Sequence, residues 1–131
     1  MASGAQGVMS ATDEFGLMEP KAKAALLFAL RSGKYKQGGG CLRTNDDNFC
    51  CLGVLCDLGK DRQEKWFQRS PNGDFYYGHG KDHDGDTAHL FPPVSVARKA
   101  GLSISATEKL ALQNDSGKTF NEIANWIEEN L

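Results

Sequence analysis

Residues with the means to do chemistry fall into a few short stretches of this chain. Cys41, Cys50, Cys51 and Cys56 crowd into sixteen positions, and thiols either ligate soft and borderline metals or attack as thiolates where a cation or base lowers their pKa. All three histidines, His79, His83 and His89, share one segment with Asp82, Asp84 and Asp86, a supply of nitrogen and oxygen donors suited to a divalent cation. Arg31, Lys34, Tyr35 and Lys36 run into Gly38–Gly40 and then Arg43. Cations, a stacking ring and a turn that lets backbone amides approach a ligand suit a phosphate or a nucleotide-like anion. Ser116-Gly117-Lys118-Thr119 carries the ending of a phosphate-cradling loop.

Each pattern also has a plainer reading. The phosphate loop requires a glycine five positions before its Gly-Lys, and Leu112 stands there, after a poor strand, so Asn114–Gly117 reads as a turn feeding a helix cap at Thr119. Asp82-x-Asp84-Gly85-Asp86 places its glycine too early for a calcium-binding helix-loop-helix, with no acid at the closing position; a run this polar reads as an exposed loop. The cysteines lack a Cys-x-x-Cys pair, and neighbours such as Cys50 and Cys51 point apart on a regular backbone. They read as small core residues with free thiols. The cations around Tyr35 also suit a solvated helix end, where they complement the C-terminal dipole. No catalytic residue, metal ligand or cofactor is assigned. If a small ligand binds, it is an anionic, nucleotide-like molecule held by Arg31, Lys34, Tyr35, Lys36 and Arg43.

The elements that must position these residues follow from periodicity and stop signals. Residues 1–16 are small and polar and read as a flexible N-terminal tail, leaving 17–131 as a single domain. Pro20 followed by Ala and Leu, then Gly33, predicts a helix over 19–32. Phe49–Leu58 is an almost unbroken apolar run that starts extended and turns helical near Leu52. KWFQR and DFYYG, separated by Ser-Pro-Asn-Gly, predict a hairpin over 65–78. Pro92-Pro93 and Gly101 bracket a short helix, and the pairs Ser105/Glu108 and Thr119/Glu122 have capping-box spacing at the starts of two more. Phe120, Ile123, Ala124, Ile127 and Leu131 make one apolar face of the last helix, with Trp126 flanking it.

The expected fold is therefore α+β, about four helices packed on a small antiparallel sheet built from the 34–44 and 65–78 regions. Its core draws on Leu26, Leu27, Leu30, Leu52, Val54, Leu55, Trp66, Phe75, Phe120, Ile123 and Ile127.

The balance of 15 basic against 17 acidic residues gives the chain no general attraction to nucleic acid or anionic membranes. DNA binding through the last helix would set Glu122, Glu128 and Glu129 against phosphates. The most apolar stretch, 22–30, is too short to span a bilayer, and the start of the chain lacks a secretory pattern; a cytosolic protein with reduced thiols is expected.

Three blocks, ALRSGKYKQGGGCLR (29–43), NFCCLGVLCDL (48–58) and LQNDSGKTFNEIANWIEEN (112–130), resemble a group of small, uncharacterised phage-encoded proteins. The resemblance implies a phage or prophage origin and a place in the host cytoplasm, and it brings no assigned reaction. The leading functional expectation is a non-enzymatic phage accessory protein that binds a host or phage component, such as a host or phage protein, interfering with host defence. Two alternatives stand beside it: sequestration of an anionic nucleotide-like small molecule through the Tyr35 region, and a metal-dependent hydrolase using the histidine and aspartate loop.

Overall fold

The computed structural model describes residues 15–68, 70–79 and 87–131. Helix α1, Pro20–Arg31, begins where the sequence places it: Pro20 needs no amide partner in the first turn, and the Glu19 carboxylate accepts from Ala22 N at 2.7 Å. Helix α2, Cys51–Leu58, starts after Cys50, whose Sγ accepts from Gly53 N at 3.4 Å. The first six residues of α2 are all buried, so this helix is the centre of the molecule, flanked by α1 and by α4. Helix α3, Val94–Ala100, follows the two prolines and closes at Gly101, whose φ of 75° is the left-handed cap that glycine adopts without strain.

Helix α4 spans Ile104–Asp115 and α5 spans Phe120–Asn130. The Thr119/Glu122 capping box is present in full. The Ser105/Glu108 box is not. Ser103 has the extended backbone of a cap and its Oγ accepts from Ala106 N at 3.0 Å, so the helix starts earlier and Ser105 lies inside it.

Five helices are thus present among the described residues, and the strands form two small sheets rather than one. The expected hairpin forms from β3, Lys65–Gln68, and β4, Phe75–Gly78, with Trp66 opposite Tyr77. Strand β5, Thr87–Ala88, pairs antiparallel on the far side of β4. Lys36–Gln37 (β1) pairs parallel with Asn48–Phe49 (β2) in a separate sheet. The 34–44 region therefore does not extend the hairpin sheet; its strand partner is the extended run that leads into α2. What joins the sheets is residues 41–43. Leu42 N donates to His89 O at 2.8 Å, Phe75 N donates to Arg43 O at 3.0 Å, and Cys50 N donates to Leu42 O at 3.1 Å. This segment lies hard against α2: a Cβ on Gly53 would sit 1.9 Å from Leu42 O.

The core contains Leu26, Leu30, Leu52, Val54, Leu55, Phe120, Ile123 and Ile127 as expected, with Leu27, Trp66 and Phe75 only partly buried. Tyr77, Leu42 and Leu110 are fully buried and were not anticipated. Tyr77 takes the central place because its strand runs between β3 and β5.

Candidate functional site

The segment 41–43 and the ends of the hairpin sheet bring three chemically different side chains together. The Leu42–His89 and Phe75–Arg43 backbone bonds fix residues 41, 74 and 89 side by side. The Cys41 thiol, an Asp74 carboxylate oxygen and a His89 ring nitrogen all lie within 4.8 Å of one another. Cys41 is buried, whereas Asp74 and His89 keep 42% and 32% of their side-chain surface, so one side of the trio faces solvent.

The neighbours orient it. Asp74 Oδ1 accepts from Asn45 N at 3.1 Å, leaving Oδ2 toward His89, 3.7 Å from Nε2. The imidazole stacks on Tyr76, with ring centres 4.8 Å apart and planes 23° from parallel. The aspartate and histidine are therefore positioned but not hydrogen-bonded to one another.

Burial pushes the Cys41 thiol pKa up, and the charge of Asp74 and its hydrogen bond with the thiol add to the effect. Such a thiol keeps its proton at neutral pH and is a poor nucleophile. A cation held among the three groups would invert that balance, because it favours thiolate and carboxylate together.

The anion-binding residues expected from sequence are engaged separately. The Arg31 guanidinium donates to Glu128 at 2.7 Å and to Asn125 at 2.9 Å, tying α1 to α5. Tyr35 packs its ring edge-on against Phe49 and donates its hydroxyl to Asp57 at 2.6 Å; burial and that acid push its phenol up to about 12. Arg43 lies 3.8 Å over the Phe75 ring and pairs with Asp47 at 2.6 Å. Lys34 and Lys36 are exposed. The glycine turn packs on the end of α4, where Gly40 N donates to Asp115 at 3.1 Å.

Of the histidine and aspartate loop, His79 lies 3.0 Å from Glu64 and His89 joins the trio, while Asp82, His83, Asp84 and Asp86 lie outside the described residues. Cys50, Cys51 and Cys56 are core residues as expected, their thiols driven up chiefly by burial. Gly117, at φ 100°, turns the chain from α4 into the Thr119 cap, as the helix-cap reading of Ser-Gly-Lys-Thr requires.

A second assembly was not visible in the sequence. Asn114 is buried at the end of α4; its Oδ1 accepts from Gln37 Nε2 at 3.0 Å and Cys51 N at 3.2 Å, and its Nδ2 donates to Gly38 O at 2.6 Å. Gln37 in turn donates to Lys118 O at 2.7 Å and accepts from Phe120 N at 3.0 Å, filling an orphan amide at the start of α5. Residues 29–43, 48–58 and 112–130 therefore meet at one polar junction. A third feature is an apolar groove of about 510 Å³ along α3 and α4, lined by Phe91, Pro92, Val94, Ala97, Leu102 and Ile104. Val94 and Ile104 expose 67% and 80% of their surface there.

A family model described as a domain of unknown function, DUF8296, matches residues 18–131. The chain belongs to that family. The DUF8296 region is joined end to end in space, since Met18 N donates to Leu131 O at 2.8 Å, and it holds all three members of the trio. No curated protein and no solved structure matches the chain. No helix among the described residues is long and apolar enough to cross a membrane.

Proposed function

We propose that this DUF8296 chain is a metal-binding domain that holds a zinc-class divalent ion between Cys41, Asp74 and His89. The observation that carries the reading is the convergence of one sulfur, one oxygen and one nitrogen donor within 4.8 Å, from three chain segments fixed by backbone hydrogen bonds. Mixed sulfur, nitrogen and oxygen donors suit zinc better than magnesium or calcium, which prefer oxygen alone. The Asn45 amide on Asp74 and the Tyr76 ring on His89 supply the outer contacts that hold such ligands in place. Three protein ligands leave a fourth position, on the solvent side, for water or for a group from a partner. The ion would link the 41–43 segment to the residue before β4 and the residue after β5.

Cobalt substitution tests this. Titrating the purified protein with Co²⁺ should give one equivalent of binding and a thiolate-to-cobalt charge-transfer band, both lost in Cys41→Ser and weakened in His89→Gln. A band that survives Cys41→Ser, or no band at all, would refute the reading.

The apolar groove favours a second reading, an accessory protein that binds a host or phage protein through an apolar segment laid along α3 and α4. The phage-like sequence blocks support the setting. A partner recovered from infected cells, purified and titrated directly, should bind wild type and lose at least about a hundredfold in affinity to Val94→Asp/Ile104→Asp. Equal affinity for both proteins would exclude the groove.

A further inference from the structure

Away from the trio, a small cavity of about 190 Å³ lies between α1, α2 and α3. Its walls are short and apolar: Ala22 and Ala25 from α1, Leu55 and Leu58 from α2, Val96 and Ala100 from α3. One wall differs. Glu64 lines the cavity although only 5% of its surface is exposed.

A buried carboxylate is costly unless its charge is balanced and its oxygens are hydrogen-bonded. Ser95 Oγ donates to Glu64 Oε2 at 2.6 Å, and His79 Nε2 lies 3.0 Å from the same oxygen. Both contacts use Oε2; among the described residues no hydrogen bond reaches Oε1. A carboxylate carries two oxygens and these contacts engage one of them, so Glu64 keeps acceptor capacity where it lines the cavity.

From these observations we infer that the cavity is a binding site for a small alkylammonium ligand, its cationic head on Glu64 and its carbon chain along Ala22, Ala25, Leu55 and Val96. Lys99 also lines the cavity but is exposed, and among the described residues it makes no ion pair with Glu64, whose charged partner is His79. The inference does not depend on metal at the Cys41 trio, because no residue is shared between the two sites.

The test is nuclear magnetic resonance titration of the full chain with n-hexylamine, n-hexanol and hexanoate at neutral pH, following amide shifts of Gly59, Lys99 and Ala100. Hexylamine should shift these amides saturably and hexanol far less. Glu64→Gln should weaken the amine by at least about tenfold, as expected for loss of one charge-assisted hydrogen bond. Should Glu64→Gln fail to fold, Ala25→Leu serves instead, because Ala25 is an exposed helical position where leucine costs little and its side chain fills the cavity mouth. That variant should bind no amine while unfolding like wild type. Hexanoate binding in preference to hexylamine, or unchanged amine affinity in Ala25→Leu, would overturn the assignment.

Discussion

Replacing Asn114 with alanine removes three hydrogen bonds from the interior at once. Cys51 N loses its partner within the core, Gly38 O loses its partner at a part-buried position, and Gln37 Nε2 keeps Lys118 O. Leaving a buried polar group unsatisfied costs about 1–3 kcal/mol, so two orphaned groups and one weakened contact add to about 3–5 kcal/mol. Set against a total stability of about 5–15 kcal/mol for a domain, the loss should lower the melting temperature by about 10–20 °C. Urea unfolding followed by tryptophan fluorescence measures it directly, and the slope with urea should stay unchanged. The exposed Asn125, which only accepts from Arg31, is the control; its alanine variant should lose less than about 0.5 kcal/mol. Hydrogen exchange gives a local readout, because the Cys51 amide should lose protection more than the rest of α2. A loss under about 1 kcal/mol for Asn114→Ala would refute the view that this junction holds the three blocks together.

Other outcomes follow from the same structure. Gly53→Ala should destabilise by about 3 kcal/mol or more in the same unfolding assay, because the added Cβ, which has no rotamer to escape into, meets the backbone carbonyl of Leu42. Asp57 is partly buried, which raises its pKa, but hydrogen bonds from Tyr35, Trp66 and Lys60 outweigh burial and hold it below the ordinary carboxylate value. A depressed folded pKa contributes stability above the unfolded value and loses it as pH falls through the folded one, so wild type should weaken below about pH 4. Asp57→Asn should be less stable at neutral pH and flatter across that window; parallel pH profiles would contradict the assignment. Zinc at about a hundred times its dissociation constant should raise stability by about 2.7 kcal/mol, reversed by chelator and absent in Cys41→Ser.

Local signals in the chain settled the local structure. Pro20 and Gly101 mark helix ends because one lacks an amide and the other tolerates a left-handed turn, and Thr119 with Glu122 states its cap outright. The Ser-Pro-Asn-Gly signal between aromatic runs placed the hairpin: Gly73 N donates to Ser70 O at 3.1 Å, with Pro71 and Asn72 at the corner of the turn. The sequence also identified the four cysteines as small buried residues, from the lack of a Cys-x-x-Cys pair, and all four are buried with free thiols.

Everything that depends on meeting across the chain was decided by tertiary structure. Cys41, Asp74 and His89 have no spacing that marks them, because each comes from a different segment and they converge only when residues 41–43 bond to the hairpin sheet. Arg31 and Tyr35 lie close in sequence, yet packing joins them to Glu128 and Asp57 on other helices, while Arg43 pairs locally with Asp47 and lies over the Phe75 ring from the hairpin sheet. Asn114 looked like a turn residue because asparagine favours turns in isolation. In the folded chain it ends a helix instead, where the buried Cys51 amide and Gly38 carbonyl needed the acceptor and the donor that an asparagine side chain supplies together.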